Sequence, residues 1–375
     1  VGYQALENNT GNNNTAVGDQ ALEANTSGIN NTAMGDDALV ANTTGDSNTA
    51  IGATALTANT TADANTAVGY QAMHANTTGY NSVAIGRRAL YLNTTGIDNV
   101  AVGWNALQAN TTGGSNVAVG LQSLTSSTTA SDSVAVGYQA LYSETTGSRS
   151  TAVGYQALKT QNVTSSTQNT AIGYGSGMDL TTAVNSTFLG ADAGANITTG
   201  NKNTMVGDAA GVHITTGASN TVLGRYSGNA GGTDIRTLNK NIVLSDGDGN
   251  IKGINYSTFG GGWAWDSDIT GVSKHGALHY FALANGGSTT LLSGETGMCQ
   301  IHVYLVSNGS GGLFYANYTD GTSLEYSAGN VSFSASAGGT SINVYKSNGS
   351  HSVVLQNLTG STRNIAIGIY ASRCI

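Results

Sequence analysis

The chain has 375 residues, of which 39% are hydrophobic and 9% charged, with 53 glycines and no proline. Its formal net charge of -8 at pH 7 argues against nucleic-acid binding, because a phosphate backbone selects a basic surface. No run approaches the roughly 18 apolar residues of a membrane-spanning helix, so we expect no membrane insertion. The apolar residues recur at regular spacing, which separates the chain from disordered linkers.

A repeat of 17 residues fills the first three-fifths of the chain. It is defined by fourteen glycines, called anchor glycines below, and eleven of their thirteen intervals are 17 residues, one is 16 and one is 19. They are Gly2, Gly18, Gly35, Gly52, Gly69, Gly86, Gly103, Gly120, Gly137, Gly154, Gly173, Gly190, Gly207 and Gly224. So short a period predicts one small unit stacked on copies of itself. We expect these glycines to be structural, at points of positive φ or close backbone approach.

Each repeat predicts two short strands and two turns. The first strand precedes the anchor glycine, as in Thr15-Ala16-Val17, and the second follows it, as in Tyr3-Gln4-Ala5-Leu6. A turn of the type Asn42-Thr43-Thr44-Gly45 then leads to the next coil. Stacking at the strand spacing of about 4.8 Å puts like residues above like residues over roughly 60 Å.

The alternation of side chains along the first strand predicts an inside and an outside. The residues one and three before the anchor glycine share one face, and we expect the aliphatic one to fill the coil with the leucine of the second strand. Alanine stands between them in ten consecutive copies, from Ala16 to Ala171. We interpret this alanine face as a subunit contact of a homotrimer, since one coil alone has a thin core. Replacing Ala101 by leucine is then expected to disrupt assembly.

A second type of repeat begins at the 19-residue interval between Gly154 and Gly173. Copies before it end in Ala-Leu, and copies after it end in Ser-Gly or Ala-Gly. The alanine two before the anchor glycine becomes Phe188, Met205 and Val222. Larger residues at a close-packed position predict a change in coil cross-section or twist. We therefore divide the rod into residues 1–154 and a second segment, 155–231.

Beyond the repeats, residues 232–298 are predicted to form a junction or neck. The stretch from 241 to 251 indicates a strand and a tight hairpin. Asp246, Asp248 and Asn250 imitate the start of a calcium loop, but Ile251 and Ser257 stand where its glycine and glutamate are required. A turn is the favoured interpretation.

The last part, residues 299–375, alternates apolar and polar residues in several runs. Asn308-Gly309, Asp320-Gly321, Gly338-Gly339 and Asn348-Gly349 separate the runs and are hairpin signals. The pattern predicts an antiparallel β-sandwich head. The fold class is thus all-β, a repetitive β-roll or β-solenoid rod followed by this head.

Candidate ligand-binding residues concentrate in the neck and head. They are Trp263, Trp265, Asp266, Asp268, Tyr315 and Tyr318. Tryptophan faces beside carboxylate acceptors suit the apolar face and the hydroxyls of a sugar ring, and core packing at the junction is the alternative. The residue after the anchor glycine varies widely between copies, so we expect no recognition surface on the rod.

We predict no catalytic residues, no metal and no cofactor. Carboxylate pairs for glycoside hydrolysis would have to come from Asp266 with Asp268, or from Glu295, Asp320 and Glu325, and the rod places no acids in a cleft.

His275 and His279 are four apart, which suits a metal only on a helix, and Gly276 argues against a helix. His302 could become a three-ligand site only on a threefold axis. Cys299 and Cys374 form a disulfide or remain two free thiols.

The repeat resembles the head repeat of trimeric autotransporter adhesins. Asn81-Ser82-Val83-Ala84-Ile85-Gly86 and Ser133-Val134-Ala135-Val136-Gly137 match that motif. The resemblance implies a left-handed parallel β-roll trimer. The longer variant, Asn-Thr-Ala-Val-Gly-Tyr-Gln-Ala-Leu with an Asn-Thr-Thr-Gly turn, is similar to the rod repeats of tailed-bacteriophage fibres. Together the resemblances cover residues 1–228.

These patterns favour a non-catalytic fibre of a phage virion, on its extracellular face, that attaches to the host through a C-terminal receptor-binding head. Expected partners are two further copies of the chain, other tail or baseplate proteins at the N-terminal side, and a host glycan or surface protein. A bacterial trimeric surface adhesin is the alternative, and it is disfavoured because no coiled-coil stalk or membrane anchor follows the head. A polysaccharide-cleaving tailspike-like enzyme is the second alternative. An ice-binding array is disfavoured because valine interrupts the threonine column from Val83 to Val134.

Overall fold

The computed structural model describes residues 1–255 and the backbone of nine further strands up to residue 371. All regular elements in these residues are strands, and none is a helix. The chain divides into two units, Val1–Lys240 with Ser245–Asn250, and Asn241–Leu244 with Ile251–Ile375. The domain boundaries drawn from the sequence remain predictions.

The first unit is a β-solenoid of 17-residue coils with one strand of three residues in each coil. Consecutive strands pair in parallel and in register, for example Thr15 with Thr32 and Ala16 with Ala33. The predicted stacking of like residues is therefore confirmed. The strands are β1 Thr15–Val17, β2 Thr32–Met34, β3 Thr49–Ile51, β4 Thr66–Val68, β5 Val83–Ile85, β6 Val100–Val102, β7 Val117–Val119, β8 Val134–Val136, β9 Thr151–Val153, β10 Thr170–Ile172, β11 Thr187–Leu189, β12 Thr204–Val206 and β13 Thr221–Leu223. A short pair, β14 Asn229–Ala230 and β15 Thr233–Asp234, follows them.

The predicted second strand of each coil is wrong, because consecutive turns occupy that stretch. In the coil anchored at Gly18, residues 19–24 form turns, and Gln20 and Leu22 have φ of 53° and 55°. Left-handed residues at alternate positions prevent an extended strand. The conformation costs about 1–2 kcal/mol for leucine. Full burial of the Leu22 side chain offsets this cost, since it contributes about 1.5–3 kcal/mol.

The predicted inside and outside of the coil are reversed. Ala101 and the equivalent alanines of neighbouring coils are fully buried within their own coil, together with the leucines. Val17 and Ile85, which were expected inside, are 42% and 41% exposed. The alternation itself is correct, but the narrow closed coil admits alanine opposite leucine and leaves the larger aliphatic side chain outside. The alanine face is therefore not a subunit contact.

The anchor glycines meet the predicted requirement, as Gly86 illustrates. Its φ is +130°, and an added Cβ would lie 2.6 Å from the carbonyl oxygen of Gly103 in the next coil. Both the conformation and the close approach exclude a side chain at this position.

The second type of repeat moves bulk across the coil interior. Phe188 is fully buried at the position of the earlier alanines, and Gly194 replaces leucine in the same coil. A Cβ on Gly177 would lie 2.9 Å from atoms of both Leu158 and Phe188, so the phenylalanine ring fills the space that leucine leaves. The register continues without interruption, with Ala171 paired to Phe188.

Strands β16 Ile242–Ser245 and β17 Ile251–Asn255 belong to the second unit except for Ser245, which belongs to the first unit together with the turn that joins the two strands. One carboxylate oxygen of Asp246 accepts hydrogen bonds from the backbone N–H groups of Asp248 (3.0 Å) and Asn250 (2.9 Å). The side-chain amide of Asn250 donates to the other oxygen at 3.1 Å. The interpretation of this stretch as a turn is confirmed.

The remaining strands are described by their backbone alone. They are β18 Trp263–Trp265, β19 Lys274–Leu283, β20 Ser288–Leu292, β21 Cys299–Leu305, β22 Gly312–Thr319, β23 Ser323–Glu325, β24 Ile342–Lys346, β25 Val353–Asn357 and β26 Arg363–Ala371. One sheet has the order β19-β26-β21-β22-β23, and another has the order β20-β25-β24. Antiparallel pairs flank three of the four predicted hairpin turns. The turn at Gly338-Gly339 lies outside the described residues, and the sandwich arrangement remains a prediction.

Candidate functional site

One surface of the solenoid, called the aliphatic face, runs along all thirteen strands. It consists of the side chains one and three residues before each anchor glycine. Four consecutive coils, from Val83 to Val136, have aliphatic residues at both positions. The position next to the glycine is held by Val17, Met34, Ile51, Val68, Ile85, Val102, Val119, Val136, Val153, Ile172, Leu189, Val206 and Leu223. Seven of these thirteen side chains are exposed and the other six are half-buried. A continuous apolar line of this kind on a surface is typical of an interaction site.

The interior of the solenoid contains a ladder of buried asparagines, each of which lies seven residues after an anchor glycine. In one rung, the amide of Asn42 donates to the side-chain oxygen of Asn25 at 2.7 Å and to the carbonyl of Gly45 at 3.0 Å. The pattern repeats up to Asn110, and these asparagines from Asn25 onward are fully buried. Each amide is thus satisfied without water, as buried polar groups require. The asparagine ladder fixes the corner of the coil.

The asparagine ladder ends at Ser127, which is too short to continue it. The side-chain oxygens of Asn110 and Ser127 are buried and have no hydrogen-bond partner. In the next coil, buried Glu144 accepts the N–H of Gly147 at 2.7 Å and the amide of Gln161 at 2.9 Å. These bonds occupy the carboxylate in structural roles, so it is not placed as a catalytic acid.

A second surface feature lies just after the anchor glycines, where side chains of successive coils stack. The guanidinium carbon of Arg87 is 5.9 Å from the ring centroid of Tyr70 and 5.6 Å from that of Trp104. Tyr70 and Trp104 are 46% and 51% exposed. Arg88 lies 5.3 Å from the ring of Tyr91. Tyr70, Arg87 and Trp104 stack one coil apart, whereas Arg88 and Tyr91 belong to the same coil, and together they make a cationic and aromatic surface.

The same column continues as a stack of tyrosines. The ring centroids of Tyr138 and Tyr155 are 5.1 Å apart, and those of Tyr155 and Tyr174 are 4.8 Å apart with an interplanar angle of 4°. This surface is not evident when the residues after the anchor glycines are compared only by type, because they are unlike one another. Writing the sequence in rows of 17 would have placed each ring beside its neighbour.

The predicted ligand-binding residues fall on described strands only in part. Trp263 and Trp265 belong to β18 and pair with Asn255 and Gly253 of β17. Tyr315 and Tyr318 belong to β22 and pair with His302 and Cys299. Asp266 and Asp268 lie outside the described residues. The assignment of these six residues to a ligand site remains a prediction.

The other candidate residues are distributed as follows. His275 and His279 lie on strand β19, and Glu325 lies on β23. Glu295, Asp320 and Cys374 are outside the described residues. Among the residues that the structure describes, no three His, Cys, Asp or Glu side chains are grouped as a metal site.

The part of the chain that is described also has no helix long and apolar enough to cross a membrane. No protein-family model matches the chain, and no curated protein and no solved structure is significantly similar to it.

Proposed function

We propose that the chain is a structural and host-attachment fibre of a phage virion. In this proposal the solenoid is a non-catalytic spacer, a β-sandwich head at its C-terminal side binds a host glycan or protein, and the N-terminal side joins other tail or baseplate proteins. The observation that carries the proposal is the in-register stack of thirteen strands with one exposed aliphatic face. A stack of this kind supports extension and display.

The fibre is proposed to be a homotrimer that packs through the aliphatic face. A partner that covers thirteen rungs must present apolar side chains at the same spacing as the strands. A second copy of the same chain has that spacing by construction. The homotrimer keeps the assembly expected from the sequence, but the contacting surface is the opposite one from the predicted alanine face.

The assembly is tested on the full chain by light scattering coupled to size-exclusion chromatography. We expect a mass three times the 37.8 kDa of the chain. Ile85→Asp places a charge on the aliphatic face and is expected to shift the mass towards the monomer without changing the circular dichroism spectrum. Thr95→Asp adds the same charge at an exposed turn position and is the matched control. A stable wild-type monomer would refute the homotrimer.

The role as a phage fibre is tested on particles. Peptides of this chain are expected in purified virions, and an excess of the purified chain is expected to block adsorption of the virion to its host. A bacterial trimeric adhesin is the competing proposal, and it predicts the chain on the surface of the bacterium instead. A tailspike-like enzyme predicts release of reducing sugar ends from host polysaccharide by the wild-type chain.

A further inference from the structure

We infer that the solenoid carries a binding site for a carboxylate-bearing polysaccharide, at a patch formed by Tyr70, Arg87, Arg88, Tyr91 and Trp104. This inference goes beyond the proposed attachment through the head, and it does not depend on the phage origin of the chain. It rests on two arginines that form no ion pair with a described carboxylate and on the aromatic rings beside them.

Arg87 and Arg88 differ from the other arginines with described side chains. Those three arginines each form an ion pair with an aspartate: Arg149 with Asp132, Arg225 with Asp208 and Arg236 with Asp234. No carboxylate among the described residues pairs with Arg87 or Arg88. The contrast with Arg225 is direct, because Arg225 and Arg87 occupy the same position after their anchor glycines. At Arg225 the previous coil supplies Asp208, whereas at Arg87 it supplies Tyr70.

The coil segments around the patch contribute no negative charge. The six residues that follow each anchor glycine include no Asp or Glu in six consecutive coils. These segments are residues 53–58, 70–75, 87–92, 104–109, 121–126 and 138–143. Two adjacent arginines therefore stand on an acid-free surface of a chain whose formal net charge is -8. A ligand that complements this surface is anionic, and the acidic remainder of the chain repels it elsewhere.

The two guanidinium groups are held in place by neighbouring side chains. The guanidinium carbon of Arg87 lies over the rings of Tyr70 and Trp104, at 5.9 and 5.6 Å from their centroids, and the residue is exposed, so its N–H edge is open to an acceptor. A carboxylate can accept two parallel N–H bonds from that edge. The Nε–H of Arg88 donates to the side-chain oxygen of Gln71 at 2.8 Å, and its guanidinium carbon lies 5.3 Å from the ring centroid of Tyr91, so this second arginine is also held in place. The site is ordered before a ligand arrives, which lowers the entropy cost of binding.

The exposed aromatic rings of the patch favour a saccharide over an acidic peptide. Tyr70 and Trp104 expose about half of their side chains beside the arginines, and such rings pack against the apolar face of a sugar. The column continues beyond Trp104 with exposed Leu121 and then with the tyrosine stack. A polymer can follow this line along the solenoid, and a single carboxylate group would use only its arginine end.

The experiment measures binding of fluorescently labelled oligogalacturonate, the probe, to the full chain by fluorescence polarisation. We expect saturable binding that weakens with salt. The methyl ester of the same oligomer keeps the sugar backbone but loses the charge, and it is expected to bind at least about tenfold more weakly, because charge-assisted hydrogen bonds are lost. Arg87→Gln with Arg88→Gln is expected to cause a similar loss.

The matched control, Arg149→Gln with Arg225→Gln, also removes two arginine charges, but from arginines that form ion pairs with aspartates. It is expected to leave binding of the oligogalacturonate unchanged. Tyr70→Ala with Trp104→Ala is expected to weaken the oligogalacturonate more than a polyglutamate probe. Absence of binding by the wild type, equal binding of the methyl ester, equal loss in the control, or equal binding of polyglutamate overturns the inference. None of these results bears on virion adsorption, so the proposed fibre function is tested separately.

Discussion

Loss of one rung of the asparagine ladder is expected to open the solenoid locally. Asn76 donates to the side-chain oxygen of Asn59 at 3.1 Å and to the carbonyl of Gly79 at 2.8 Å, and it accepts the amide of Asn93 at 2.8 Å. Asn76→Ser removes three hydrogen bonds that are each worth about 1 kcal/mol net, or about 3 kcal/mol in total.

The appropriate assay is amide hydrogen exchange, because a stack of repeats opens locally rather than in one step. A loss of about 3 kcal/mol corresponds to roughly a hundredfold faster exchange of the amides in the mutated coil and its two neighbours. Thr78→Ser, at an exposed position in the same coil, is the matched control. Equal exchange in Asn76→Ser and Thr78→Ser would show that the asparagine ladder does not limit opening and would refute the reasoning.

The reciprocal substitution repairs the rung that the sequence lacks. Ser127→Asn is expected to donate its amide to the unpartnered oxygen of Asn110 and to the carbonyl of Ala130. The coil with Asn59 and Ala62 shows that alanine at the acceptor position is compatible, since Asn59 donates to the Ala62 carbonyl at 3.1 Å. At about 1 kcal/mol for each of the two added hydrogen bonds, we expect exchange near residue 127 to slow by roughly thirtyfold.

Three further outcomes are expected. Ala101→Leu overpacks the coil itself, so it is expected to lower the free energy of unfolding by about 1–3 kcal/mol, seen as a lower melting temperature; a change in oligomeric state alone would contradict this. Phe188→Ala is expected to lower the free energy of unfolding by about 3–5 kcal/mol. Adding Gly194→Leu is expected to recover most of that loss, because the coil then has the alanine and leucine of the first type of repeat. A double variant less stable than Phe188→Ala alone would contradict this. The side-chain hydrogen bond from Arg236 lowers the pKa of Asp234 to about 2. Its stabilisation is present above the ordinary carboxyl pKa near 3.9 and is lost as pH falls through about 2, and Arg236→Gln is expected to raise the pKa in an NMR titration.

The period of the solenoid could be predicted from the sequence because it depends on backbone geometry. Gly86 shows this, since its positive φ and its contact with the next coil allow no other residue. Parallel in-register pairing follows from the constant interval. These features need no knowledge of the coil interior.

The inside of the coil could not be predicted, because alternation assigns residues to faces but does not say which face is enclosed. Val17 is more hydrophobic than Ala16 and is therefore the expected interior residue. The closed coil is narrow, however, and accommodates the smaller alanine. Asn42 was interpreted as turn chemistry, and its ladder emerges only when the coils are stacked. Leu22 was assigned to a strand because local propensity does not anticipate a buried leucine in the left-handed region.

The direction of the coil-to-coil hydrogen bonds has a mechanical consequence. A pull along the stacking direction loads every interface between coils in series, so the weakest interface sets the yield force of the whole solenoid. The interface between the coils of Asn110 and Ser127 has unpartnered buried oxygens on both sides. Under tension we expect the first rupture there. A single-molecule pulling experiment in which Ser127→Asn leaves the first rupture force unchanged would place the weak link elsewhere.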